Sequence, residues 1–238
     1  MAGARERIIF VHGLWLTGIE SLWLRRRLTQ RYGYELEVFS YGTRVESLDS
    51  VLDRLQQLIA DSDQVTYLLG HSLGGRIALK YLLQRVATQF DAREPSTSIS
   101  PSRNRVRRAV LMGSPVGGSR AARALAAHRW GREIIGEAAL QQLLVSDANV
   151  ARLPCEVGVI AGSLPLGVGA LFASFDEPHD GTVALSETQL AAATDHITLP
   201  VSHLGMLVSE VVVEAVATFC RSGHFPLQSS RSSTERKR

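Results

Sequence analysis

The chain has 238 residues, 45% apolar and 21% charged, with a formal net charge of +3 at pH 7. This is an ordinary soluble globular balance, long enough for one domain with a real core. The charge excess is too small to argue for nucleic acid, no stretch reaches the roughly 18 uninterrupted apolar residues of a membrane-spanning helix, and two distant cysteines, Cys155 and Cys220, make no disulfide framework.

The opening "MAGARER" leads straight into "IIFVHG", too short a run for a signal peptide, so the chain reads as soluble and cytoplasmic. A transient contact with a membrane surface stays compatible with it. "RIIFVHG" is a strand candidate. "IESLWLRRRLTQR" suits a helix covering a sheet, with apolar residues at 19, 22, 23 and 28 and arginines on another side. "LEVFSY" is a second strand. "SLDSVLDRLQQLIA" is the clearest helix: Leu48, Val51, Leu52, Leu55, Leu58 and Ile59 share a face and Ser47 can cap it. "QVTYLLG" and "RIALKYLLQRV" are the third strand and helix. "DAREPSTSISPSRN" has no periodicity and reads as a long loop. "RAVLMGS" is the fourth strand, and residues 119–146 read as two short helices. "CEVGVIAG" and "DHITLP" are strands five and six. "HLGMLVSEVVVEAVATFC" reads as one long helix burying Leu207, Val208, Val211, Val212, Ala215, Val216 and Phe219. Residues 1–225 then form the domain, with 116–153 a candidate small cap and 226–238 a disordered basic tail.

Near-continuous apolar strands alternating with amphipathic helices predict an α/β fold: a mostly parallel central sheet of about six strands with helices on both faces. In such sheets sites gather at the carboxyl ends of the strands. The reactive residues fall there. Ser72 follows strand three, in "GHSLGG", Gly70 to Gly75. That stretch fits a G-x-S-x-G nucleophile elbow, in which a sharp strand-to-helix turn exposes the serine and leaves room only for small residues two positions away. The other reading is a glycine-rich turn with an ordinary serine.

A serine hydroxyl needs a base. Of seven histidines, His203 ends strand six just before the last helix, whereas His196 begins that strand, at the far end of a parallel sheet. His203 also completes the chain order of nucleophile, acid, histidine. Asp176, Glu177, Asp180 and Asp195 compete for the acid, and Asp180 in "HDGTVAL" is preferred. An oxyanion hole needs two backbone N–H donors. The candidates are Leu73, after the serine, and Leu14, in "VHGLW".

"IIFVHGLW", "LLGHSLGG", "LMGSPVGGSRAARAL", "HDGTVALSET" and "LPVSHLGML" together resemble bacterial lipases and esterases of the α/β-hydrolase superfamily, over roughly residues 7 to 221. The resemblance implies a compact α/β-hydrolase fold with Ser72 as nucleophile, Asp180 as acid, His203 as base, and Leu14 and Leu73 as oxyanion donors. Secreted relatives often carry a calcium-binding aspartate two residues after the histidine. Gly205 stands there, so no metal site and no cofactor are expected.

Trp15, Val116, Leu164, Leu166, Leu171 and Phe172 are candidates to line an apolar slot for an acyl chain. The expected partner is a small-molecule acyl ester or lipid, not nucleic acid. The function read from these residues is ester hydrolysis through an acyl-enzyme, with a soluble esterase favoured by the shortness of 116–153. A thioesterase or acyltransferase would use the same triad, and a non-catalytic binding protein could keep the scaffold. The arginine clusters, Arg103, Arg105, Arg107 and Arg108 and the tail's Arg231, Arg236, Lys237 and Arg238, read as a solvated loop and terminus; an anion-binding patch there would show strong salt dependence.

Overall fold

A computed structural model describes residues 6–91, 106–167 and 175–227. Six strands form one sheet: β1 (Arg7–Val11), β2 (Glu35–Phe39), β3 (Thr66–His71), β4 (Val106–Met112), β5 (Glu156–Gly162) and β6 (Asp195–Leu199). Their spatial order is β2-β1-β3-β4-β5-β6, and all five pairings are parallel. The expected sheet is therefore present, with all its strand ends delivering loops to one edge.

Successive side chains of a strand point to opposite faces, and the core divides accordingly. Ile8 and Phe10 of β1 join one cluster with Leu24 and Leu28 of α1 (Leu22–Tyr32) and Val212, Val216 and Phe219 of α7 (Glu210–Ser222). Ile9 and Val11 join the other, with α2 (Leu48–Ala60) and α3 (Leu73–Asp91). Ser47 caps α2 by accepting from the Ser50 amide, and Val51, Leu52, Leu55 and Ile59 are buried, as their spacing predicts.

Three expectations change. The predicted helix over 19–31 buries Leu24 and Leu28, while Ile19 and Leu22 are exposed, because Ile19–Ser21 form a separate 3₁₀ turn after Gly18, at φ 94°. The predicted last helix is broken: Gly205–Val208 is a 3₁₀ turn, Ser209 is extended, and Val208 and Val211 face outward. Residues 119–146 hold three helices rather than two: α4 (Arg120–Ala126), α5 (Arg129–Ile135) and α6 (Glu137–Leu144). Gly136, at φ 85°, splits the last two, where a Cβ would lie 2.7 Å from the Arg44 carbonyl oxygen. The loop predicted after α3 and the tail from 228 lie outside the described residues, as do the arginines of both clusters other than Arg107 and Arg108. Cys155 is half-buried just before β5, and Cys220 is buried in α7.

Candidate active site

Ser72 sits between β3 and α3 at φ 55°, in the left-handed region that a side chain rarely adopts. The glycines around it explain how the turn closes. A Cβ on Gly70 would lie 2.6 Å from the Gly75 nitrogen, one on Gly74 would overlap the Val11 carbonyl oxygen, and one on Gly75 would lie 2.8 Å from Ser114 Cβ. The Ser72 amide donates to Met112 O at 2.9 Å, which ties the turn to the end of β4. α3 begins at Leu73, directly after Ser72, and the Gly75 amide donates back to Ser72 O at 3.1 Å.

His203 and Asp180 meet at the same edge. His203 Nδ1 lies 2.7 Å from Asp180 Oδ2, and the His203 amide donates to Asp180 O at 2.9 Å. Asp180 Oδ1 accepts from the amides of Val183 (2.7 Å) and Thr182 (2.9 Å). Burial alone raises the Asp180 carboxyl, but the positive charge of His203, the bond to it and the two amides outweigh that and hold it below the usual carboxylate range. Gly113, at φ 54°, lies beneath the pair: a Cβ there would come within 3.1 Å of both Asp180 Oδ2 and His203 Nδ1. The other acid candidates are engaged elsewhere or exposed. Asp195 accepts from the His196 and Phe225 amides, Glu177 holds Arg120 and Ser186, and Asp176 is exposed.

Two histidines frame the site. His71 is fully buried, its ring 4.7 Å from that of His203 and its Nε2 3.0 Å from the His203 carbonyl oxygen. Burial, aided by His203 beside it, pushes its pKa down to about 3, so it stands neutral with Nε2–H donating. His12 is the counterpart under the loop after β1. Its Nδ1–H donates to Gly13 O (2.9 Å), its Nε2 accepts from the Tyr41 amide (3.3 Å), and its ring stacks on Tyr41. Burial lowers its pKa as well. Sequence reading assigned neither histidine a task; their places directly before Ser72 and Gly13 were the available signal.

A cavity of about 320 Å³ opens at this edge. Ser72, His71 and His203 line it, as do Leu14 and Trp15 on one side and Ala122, Leu125, Ile135 and Leu143 of α4, α5 and α6 on the other. Leu14 and Leu73 pack with those helices, and among the described residues neither of their amides has a hydrogen-bond acceptor. Of the candidate slot residues, Trp15 and Leu166 are on the wall. Val116 is not: it is fully buried against β-sheet residues and α3. Leu164 is also off the wall, half-exposed, its amide held by Val201 O. Apolarity after a strand does not distinguish core from cavity. Leu171 and Phe172 lie outside the described residues. The Ser72 hydroxyl makes no hydrogen bond among the described residues. No cluster of three or more His, Cys, Asp or Glu that could hold a metal occurs among them either.

A family model described as the Alpha/beta hydrolase family matches residues 8–233. The chain belongs to that family. Membership in the alpha/beta hydrolase family supports hydrolase activity. No curated protein matches the chain. Among solved structures, this alpha/beta hydrolase is similar to the lipase BlEst2 of Bacillus licheniformis in mature form (17% identity, TM-score 0.66, 92% of each chain covered). It is also similar to phospholipase PlaB from Legionella pneumophila (16%, 0.61, 89% of this chain and 56% of that one). A third is RedJ, a thioesterase from the prodiginine biosynthetic pathway in Streptomyces coelicolor (14%, 0.56, 93% and 91%). At such identities the likeness is one of fold. No helix among the described residues is long and apolar enough to cross a membrane.

Proposed function

We propose that the protein is a serine hydrolase that cleaves carboxylic esters of apolar acyl groups through an acyl-enzyme. Ser72 Oγ attacks the carbonyl carbon and its proton passes to His203 Nε2. Asp180, bonded to Nδ1, sets the tautomer and stabilises the imidazolium. The amides of Leu14 and Leu73 receive the oxyanion. His203 then returns the proton to the leaving alkoxide, and water repeats the sequence to free the acid. The acyl chain lies among Leu125, Ile135 and Leu143, with residues 116–153 as a small cap on a domain of residues 1–225.

One observation carries the reading: His203, bonded to the buried Asp180, lines the same cavity as a serine held at positive φ. Strain of that kind collects at functional sites. The test is intact mass after treatment with a fluorophosphonate, on wild type and on Ser72→Ala. One adduct on wild type and none on the variant is expected. No adduct on either would refute the reading and favour a binding protein. A thioesterase or acyltransferase would label identically, and products formed from oxygen esters and thioesters would separate them.

A further inference from the structure

The side chains that periodicity sends to the core, and the fold leaves outside, lie together. Ile19 is 74% exposed and Leu22 42%, at the start of α1; Val208 is 59% and Val211 47% exposed, around the start of α7. These elements pack on one another: α1 touches both α7 and the Gly205–Val208 turn, which also touches the Ile19–Ser21 turn. Arg27 and Arg31 lock the arrangement by pairing with Glu210 at 2.9 and 2.7 Å. Leu204, also exposed, directly precedes the Gly205–Val208 turn and stands on the cavity wall. The apolar face thus runs into the mouth of the cavity. Contiguous apolar surface of this kind marks an interaction site.

Its rim is basic. Arg25, Arg26, Arg27 and Arg31 stand on α1 against Glu20, Glu210 and Glu214. Glu210 is shared by two arginines and Glu20 accepts from the Thr17 and Gly18 amides. Arg25 donates to Ser21 Oγ, and among the described residues neither Arg25 nor Arg26 has a carboxylate partner.

We propose that this face docks the protein onto an anionic phospholipid surface, with the mouth of the cavity turned to the bilayer. The aliphatic side chains enter the boundary between headgroups and acyl chains while the arginines reach the phosphates. A second copy of the chain fits less well: a two-fold contact sets the same patch against itself, so the unpaired arginines would confront each other. A copy would also cover the mouth, an objection that rests on the acyl-ester reading.

The test is co-sedimentation with vesicles of phosphatidylcholine alone and of phosphatidylcholine mixed with phosphatidylglycerol, at low and high salt. Binding to the mixed vesicles, weakened by salt, is expected. It should fall about tenfold in an Ile19→Ser, Val208→Ser variant and in an Arg25→Gln, Arg26→Gln variant, with thermal melts confirming that each folds. No binding to mixed vesicles overturns the proposal, as does equal binding by wild type and both variants. A wild-type dimer that Ile19→Ser, Val208→Ser dissolves would give the face to a second copy instead. Binding does not depend on catalysis, so failure of the fluorophosphonate label alone would sink the serine reading and leave this one standing.

Discussion

Asp180→Asn tests the acid–base pair at the level of a single proton. Asp180 Oδ1 accepts from two backbone amides, Val183 at 2.7 Å and Thr182 at 2.9 Å, which cannot turn away. The one oxygen of an asparagine must take that place. Its NH₂ then faces His203 Nδ1, where Oδ2 now sits at 2.7 Å. Two donors cannot share a hydrogen bond, so the imidazole shifts its proton to Nε2, the atom that should accept from Ser72. The side chain keeps its shape and the base is disabled. A change of tautomer of this type costs about 10,000-fold, equivalent to about 5.5 kcal/mol in the barrier. The assay is the rate of fluorophosphonate adduct formation, beside hydrolysis of a short-chain nitrophenyl ester, with a thermal melt to show that the fold is intact. A loss smaller than about tenfold in a folded variant would refute the tautomer reasoning and move the acid elsewhere.

Gly74→Ala drives a Cβ into the Val11 carbonyl and to 2.5 Å from the His12 carbonyl oxygen, both backbone atoms that cannot step aside; it should cost about 3 kcal/mol in urea unfolding, and a loss below about 1 kcal/mol would show that the elbow is looser than described. Arg76 is fully buried, donating to Pro115 O at 2.6 Å and to Asp147 at 2.8 Å. Arg76→Met removes one bond from each acceptor, leaving Pro115 O with the Gly118 amide and Asp147 with Lys80, and should cost about 2 kcal/mol; an unchanged midpoint would contradict this. His71 holds a pKa of about 3 in the fold against about 6.5 in the unfolded chain. A depressed folded value means that the unfolded state binds the proton first, so stability is intact above pH 6.5 and falls as the pH drops toward 3. His71→Gln removes that titration while its amide can still reach His203 O. Between pH 7 and pH 4 it should lose less stability than wild type, by on the order of 3 kcal/mol, and identical losses would show that His71 is charged in the fold.

The sheet, and the strand-end positions of the candidate residues, were legible because both patterns are local. Ile8 and Phe10 against Ile9 and Val11 follow from the two-residue period of a strand, and Ser72 and His203 stand in short stretches just past a strand end, with Asp180 in the connection from β5 to β6. Parallel pairing then carries those ends to one edge without further instruction.

What lay beyond the sequence is which way each apolar stripe faces. Ile19, Leu22, Val208 and Val211 have the spacing of core residues and are exposed; Val116 looks like a cavity wall and is core. Periodicity reports the angle between side chains along one element, and the packing of neighbouring elements decides which angle is covered. The same holds for Gly113 and His71. Their parts under and beside the Asp180–His203 pair exist only once β3, β4 and the two loops are brought together. Composition and local spacing determined that this chain folds as a parallel α/β sheet with reactive groups at one edge. The tertiary structure alone decided which apolar residues fill the core, which line the cavity and which remain outside, because burial depends on neighbours remote in the sequence.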